Sequence, residues 1–404
     1  MTRHPHFAQL QQYPFEKLRL LTEHIEPPDH LPHIPLSLGE PKHTPPDFVV
    51  AALADPATLT QCLTTYPATR GTDELRNAIA GWLQRRFAVG VDPGNQILPV
   101  TGTREALFSF AQAQLSGSAQ SKVLMPNPFY QIYEGAALLA GATPVFVDNN
   151  PAEGYQQDLL HIDPAILADT EIVYLCSPGN PTGQIISQSQ LQGLIELAHK
   201  YDFVIAADEC YSEIYFDEQQ PPVSLLSASD AMGNADYARC VVFHSLSKRS
   251  NLPGLRSGFV AGDPQIMTDY LKYRTYHGCA MSAHHQHASA LAWQDEEHVT
   301  ANRQLYHQKF AAVEAILAPH YAVHQPAGSF FHWLPLPMDD QQFCQQLLAQ
   351  YNVTVMPGSF LARAGATGNN PGQNHVRIAW VAPQDQCIEA AQRLAEFART
   401  ALPS

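Results

Sequence analysis

The chain has 404 residues, 45% of them hydrophobic and 15% charged, with a formal net charge of −15. That length and apolar fraction supply cores for about two or three globular domains. The acidity excludes a nucleic-acid or anionic-membrane partner, because a surface repelled by phosphate gains nothing from counterion release, but it leaves room for a small anionic substrate held by the local field of a pocket. The seven cysteines, Cys62, Cys176, Cys210, Cys240, Cys279, Cys344 and Cys387, form no CxxC pair, and several sit in apolar runs. Buried free thiols in a reducing cytoplasm are expected. The opening MTRHPHFAQLQQYPF has no apolar core of signal-peptide length and no run reaches membrane-helix length, so neither export nor membrane insertion is expected. His284, His285 and His287 come with no HExxH-like ligand set, and no metal is expected.

In chain order, residues 1 to about 35 are rich in proline and histidine and read as an arm with one short helix over Phe15–Thr22. Leu36-Ser37-Leu38-Gly39-Glu40-Pro41-Lys42-His43 follows, an apolar segment broken by Gly and Pro, as where backbone approaches something closely. Asp73-Glu74-Leu75-Arg76 opens a helix with Leu75, Ile79, Trp82 and Leu83 on one face. A strand at Ile97–Val100 leads into Thr101-Gly102-Thr103-Arg104, the start of a second helix, whose outward N–H groups and dipole suit an anion. Many helices begin this way for capping alone.

Strand and helix patterns then alternate. Strands are predicted at Lys122–Met125, Pro144–Val147, Ile172–Cys176, Phe203–Ala207 and Val241–Phe243, and helices at Tyr130–Leu139 and Gln188–Lys200. The strands are continuous apolar runs, as expected when helices cover both faces, which predicts an α/β, mostly parallel, doubly wound sheet. In such sheets chemistry gathers at the carboxyl ends of strands. Those ends carry Asn127-Pro128-Phe129-Tyr130, Ser177-Pro178-Gly179-Asn180-Pro181-Thr182-Gly183, Asp208-Glu209-Cys210-Tyr211 and Ser245-Leu246-Ser247-Lys248.

The last cluster has the most chemical content. A lysine desolvated near another cation loses its proton well below about 10.4 and can condense with an aldehyde. Ser245, Ser247 and Arg256 offer two hydroxyls and a fixed cation to a phosphate dianion. An aldehyde beside a phosphate describes pyridoxal phosphate. A lone SxSK also describes a strand followed by a polar loop, so the other clusters decide between the two.

Taken together, SLGEP, SPGNPTG, ADECY, SLSKRSNLPGLRSGF and VRIAW match the class I/II aminotransferases of fold type I in order and spacing, over essentially the whole chain. The resemblance implies a large domain with a mostly parallel seven-stranded sheet between helices and a smaller α+β domain. The divisions expected are 1–45 for the arm and part of the small domain, 46–285 for the large domain and 286–404 for the rest of the small domain. It implies that Lys248 holds the cofactor covalently and then acts as general acid/base at the substrate Cα. Asp208 would pair with the pyridine nitrogen and keep it protonated. Asn180 and Tyr211 would hydrogen-bond the phenolic oxygen and Tyr130 would stack on the ring. Gly102, Thr103, Arg104, Ser245, Ser247 and Arg256 would surround the phosphate. In this family a tyrosine of the neighbouring subunit also reaches it, and Tyr66 occupies the matching place, so a homodimer is implied. Arg377, on a strand with apolar neighbours, would capture the substrate α-carboxylate in a bidentate manner.

YPFEKLR, SLGEPKH and TGTREALF resemble the proteobacterial succinyldiaminopimelate aminotransferases more narrowly. Their multiply carboxylated substrate suits extra cations, so Lys42 or Arg104 is expected near the distal carboxylates, with Gly39, Asn180 and Arg377 completing the substrate-binding set. Transamination of aspartate, alanine, aromatic or methionine-related amino acids, or cysteine-S-conjugate β-elimination, are the competing activities. A cofactor-sensing regulator is a further reading, but the arm is too short and the charge wrong for a DNA-binding segment.

Overall fold

The computed structural model describes residues 5–365 and 368–401. Residues 366–367, inside the 364–373 stretch on which the sequence carries no expectation, lie outside them. The strands, in chain order, are β1 (Ile34–Pro35), β2 (Ile97–Val100), β3 (Lys122–Asn127), β4 (Thr143–Asn150), β5 (Gln156–Gln157), β6 (Thr170–Cys176), β7 (Val204–Asp208), β8 (Cys240–Ser245), β9 (Gly258–Gly262), β10 (Phe331–Pro335), β11 (Val353–Thr354), β12 (Met356–Pro357) and β13 (His375–Ala379).

The large sheet has the order β2-β9-β8-β7-β6-β3-β4-β5. Its members run parallel except β9, antiparallel to both neighbours, and β5, which folds back on β4. This is one strand more than the seven expected. The eighth, β5, is two glutamines at the sheet edge, and two polar residues leave no apolar run for a sequence reading to find.

Period-two alternation sends strand side chains to two separate cores. Val173, Leu175, Ile205, Ala207, Val242 and Phe259 pack with Trp82, Leu194 and Trp293, from the helices Asp73–Phe87, Gln188–Tyr201 and Ala283–Gln294. Ile172, Tyr174, Ala206, Val241, Phe243 and Val260 pack with Phe110, Tyr133 and Tyr270, from the helices Thr103–Gln114, Ile132–Leu139 and Pro264–His277. Removing solvent from both faces is what makes the strands read as unbroken apolar runs.

A second sheet, β10-β13-β12, packs on the helices Glu297–Leu317 and Gln384–Ala401 through Tyr306, Phe310, Leu394 and Phe397. The helix Ala283–Gln294 straddles the division expected after residue 285 and buries Ala288, Ala292 and Trp293 against the large sheet, so the division we propose moves to residues 295–296. β1 pairs in parallel with β11, and Leu36 is held between the Thr354 carbonyl and the Ala379 amide. The segment that follows, Ser37–Glu40, is thereby laid across the seam between the two sheets.

Candidate active site

The register places Cys176, Asp208 and Phe243 side by side across β6, β7 and β8, and Ser245 opposite Gly258 on β9. The loops leaving β6, β7 and β8 therefore open to one place. There lies a cavity of about 470 Å³ lined by Gly39, Thr103, Arg104, Tyr130, Asn180, Asp208, Tyr211, Ser245, Ser247, Lys248, Arg256 and Arg377, among others. Its volume lies in the range of about 300–1,000 Å³ usual for small-molecule sites.

Three charged groups on this wall, Asp208 and Arg377 buried and Lys248 half-buried, have no counter-ion among the described residues. Lys248 Nζ donates to the Gly39 carbonyl at 2.6 Å and lies 5.4 Å from the centre of the Phe330 ring. Burial, helped by the Arg377 guanidinium, brings its pKa down to about 8. Asp208 accepts from the Tyr133 hydroxyl at 2.9 Å and the Cys210 amide at 3.2 Å, yet burial outweighs both donors and raises its carboxyl above the ordinary value. Arg377 donates to Asn180 Oδ1 at 2.9 Å and the Ser37 carbonyl at 2.7 Å, its Nε is buried with no acceptor, and burial lowers its pKa to about 10. Isolated buried charges cost several kcal/mol each, so a site holding such groups is built to be completed by a ligand carrying the matching charges.

The groups flanking them fit a phosphorylated pyridine aldehyde. Ser245 and Ser247 share a 2.9 Å hydroxyl–hydroxyl hydrogen bond at the end of β8. Arg256, held in the left-handed region at φ 56°, donates to the Pro253 carbonyl. Gly102 has φ 88° and starts the helix Thr103–Gln114; a Cβ there would collide with the Arg256 guanidinium. Hydroxyls, a guanidinium and a helix N-terminus in one place make a dianion cradle. The buried Asp208 needs a cation that a protonated ring nitrogen would supply. Tyr211 and Tyr130 are both pushed up by burial and stay neutral phenols able to donate. Asn180, its oxygen occupied by Arg377, makes no hydrogen bond through its amide nitrogen among the described residues.

Three of the expected residues stand outside the lining, one of them Gly102, which lies against the Arg256 guanidinium. Lys42 is exposed and pairs with Glu40, which does line the cavity. Tyr66 is 99% exposed. Arg104, by contrast, lies on the wall with no carboxylate partner among the described residues, and Glu105 is taken by a two-pronged ion pair with Arg274 at 2.8 and 2.9 Å. The Arg104 guanidinium instead lies 5.4 Å from the centre of the Tyr13 ring.

Sequence reasoning missed Tyr133, the hydroxyl donor to Asp208, and Tyr13, Phe15, Cys176, Cys210, Phe331 and Leu361 on the cavity wall. One signal for Tyr133 exists: it follows Tyr130 by one helical turn in FYQIY, which brings both to one face. All seven cysteines are free. Among the described residues no helix is long and apolar enough to cross a membrane, and no group of three or more His, Cys, Asp or Glu side chains could hold a metal ion.

A mostly parallel sheet with a half-buried lysine, a buried acid and a cluster of groups suited to a phosphate at its carboxyl edge fits a fold-type I enzyme dependent on pyridoxal phosphate. The chain belongs to the aminotransferase class I and II family, whose profile matches residues 32–394. A crystal structure of an aminotransferase from Neisseria meningitidis Z2491 is 44% identical, with a TM-score of 0.93 over 98% of this chain and 100% of that one. The 4-dedimethylamino-4-oxo-anhydrotetracycline transaminase OxyQ of Streptomyces rimosus is 34% identical over 91% of this chain and 94% of its own. An LL-diaminopimelate aminotransferase of Natranaerobius thermophilus is 28% identical over 90% of this chain and 91% of its own. The protein is thus an aminotransferase that uses pyridoxal 5′-phosphate and takes amino acid and 2-oxo acid substrates.

Proposed function

We propose that this aminotransferase moves an amino group between N-succinyl-L,L-2,6-diaminopimelate and 2-oxoglutarate, forming N-succinyl-2-amino-6-oxopimelate and glutamate, a step toward diaminopimelate and lysine. One observation carries the choice of substrate. The three segments with the narrow resemblance meet on the cavity wall: Tyr13 and Phe15 from YPFEKLR, Leu38, Gly39 and Glu40 from SLGEPKH, and Thr103 and Arg104 from TGTREALF. Together they place on that wall Arg104, a cation with no carboxylate partner among the described residues, and we assign to it the distal carboxylate of the substrate. The diaminopimelate-directed relative points to the same carbon skeleton.

Bound pyridoxal phosphate supplies an aldehyde that condenses with amino groups and a protonated ring that accepts the electron pair left when the Cα–H bond breaks. The chain's residues do the rest. Arg377 binds the α-carboxylate and so orients Cα. Lys248, with a pKa near working pH, takes the proton from Cα and returns it on the other side of the exchange. Asp208 would keep the ring nitrogen charged, Asn180 and Tyr211 would donate to the phenolic oxygen, Tyr130 would pack on the ring, and Gly102, Thr103, Ser245, Ser247 and Arg256 would hold the phosphate. The exposed Tyr66 is available to a second copy, and in a homodimer the partner subunit's Tyr66 would complete the cradle. The cytoplasm is the proposed location.

A donor panel tests the reading: the succinylated substrate, free L,L-diaminopimelate, aspartate, alanine, phenylalanine and methionine, each with 2-oxoglutarate, following glutamate formation, and a cysteine S-conjugate, following pyruvate release. The expected result is a kcat/KM for the succinylated donor at least about tenfold above the rest, a difference worth about 1.4 kcal/mol. Preference for another donor, or dominant pyruvate release, would overturn it.

A further inference from the structure

Lys309 is only 1% exposed, on the helix Glu297–Leu317, and no carboxylate pairs with it among the described residues. Its Nζ donates to the Trp380 carbonyl at 3.0 Å and lies 2.9 Å from His43 Nε2. A buried amine with no counter-ion is a poor stabilising device, so it calls for another explanation. The neighbouring contacts supply one. With Nε2 as acceptor, the remaining imidazole proton sits on Nδ1, which lies 2.8 Å from Asn302 Oδ1. The same oxygen accepts from Asn251 Nδ2 at 2.9 Å. Asn302 Nδ2 is thereby turned to the main-chain carbonyls of Lys248 and Arg249, at 3.3 and 3.4 Å. Each assignment fixes the next, and donors point one way from Lys309 to the Lys248 carbonyl.

His43 belongs to the same short segment as Gly39, whose carbonyl accepts the Lys248 amine at 2.6 Å. The circuit closes on itself. We propose that Lys309, His43 and Asn302 are positioning residues that hold Lys248 at both ends, its main chain through Asn302 and its amine through the segment His43 anchors. The proposal rests on Lys248 being the cofactor-bearing lysine. The groups acting on the Lys248 amine are Cys210, Arg377, Glu40 and Asp208; those facing Lys309 and His43 are Cys387, Asn302, the Tyr306 ring and each other. None is a carboxylate bonded to the relay, so the three residues have no competing ion-pair role.

The test uses the holoenzyme without substrate, reading the pH midpoint at which the visible absorbance of the lysine-bound cofactor changes, followed by kcat and KM for glutamate. His43→Phe keeps a ring against Tyr306, now 4.7 Å away, and removes only the hydrogen bonds; Lys309→Met removes the amine at similar length. Both variants are expected to move the midpoint by about half a pH unit or more and to lower kcat about tenfold with KM within about twofold. An unchanged midpoint and kcat in folded His43→Phe would overturn the relay, whatever Lys309→Met does. Failure of both variants to fold with cofactor bound would also overturn it, since the relay is proposed to act on Lys248 and not on folding. Visible absorbance persisting in Lys248→Ala would instead remove the assignment of Lys248, a separate outcome.

Discussion

The Tyr133 hydroxyl donates a 2.9 Å hydrogen bond to Asp208 Oδ2, with both side chains closed off from solvent. Together with the side chain and amide of Cys210, it offsets part of the burial cost of the carboxylate. Tyr133→Phe removes it without opening a cavity. A hydrogen bond to a charged acceptor contributes about 1.5–3 kcal/mol, so kcat should fall at least about tenfold and the Kd for pyridoxal phosphate should rise. Unchanged kcat and Kd would show that Asp208 does not depend on this donor.

Asp208 and Lys248 should load the cofactor-free protein with pH dependences of opposite sign. Burial raises Asp208, so folding disfavours the ionised form: the penalty is full above its folded pKa and absent below about 3.9. Asp208→Asn should therefore raise Tm at neutral pH, with the gain fading on acidification. Lys248 is brought down to about 8, so folding disfavours the ammonium: the penalty is full below that value and gone above about 10.4. Lys248→Met should raise Tm near neutrality, with the gain fading as pH rises through that interval. Thermal melts at acidic, neutral and alkaline pH check both, and each variant should lose transamination.

Arg377 is a guanidinium packed 4.6 Å from the centre of the Phe331 ring and held by Asn180 and Ser37. Lysine cannot reproduce that planar fork. Arg377→Lys should raise KM for glutamate and 2-oxoglutarate by about 10–100-fold, as expected for losing a charge-assisted pair. The resting visible spectrum should stay as it is. Equal damage to the spectrum would mean that Arg377 acts on the cofactor and not on the substrate carboxylate.

Arg104 and Lys42 separate the distal end of the substrate from its reacting end. Arg104 lines the cavity without a carboxylate partner among the described residues, whereas Lys42 is spent on Glu40. Arg104→Ala should raise KM for the succinylated donor about tenfold and leave KM for glutamate within about twofold, while Lys42→Ala changes either little, as exposed pairs contribute about 0–1 kcal/mol. An unchanged KM for the succinylated donor in the double variant would remove both residues from its recognition.

Gly102 combines φ 88° with a Cβ position blocked by Arg256. Gly102→Ala should cost about 1–2 kcal/mol from the left-handed backbone alone and should displace Arg256 from the cradle. A lower Tm together with weaker retention of pyridoxal phosphate on dialysis is expected. Full retention would show that the cradle tolerates a shifted guanidinium.

Burial on both faces makes β6, β7 and β8 continuous apolar runs ended by polar clusters, so the sheet and the meeting of Asp208, Asn180 and Lys248 at one cavity were legible in one dimension. Such signals are local: they depend on side-chain period and on short spacings. Partners contributed by distant segments were not legible. Tyr133 meets Asp208 across 75 positions and Lys309 meets His43 across 266, and no spacing rule connects them. The tertiary structure also decided that Arg104 and not Lys42 lines the cavity, because Glu105 is drawn to Arg274 and Glu40 to Lys42, leaving Arg104 without a carboxylate among the described residues. Sequence by itself determined the framework and the reagents; packing determined their partners, since which groups share a buried space depends on how the whole chain closes around them.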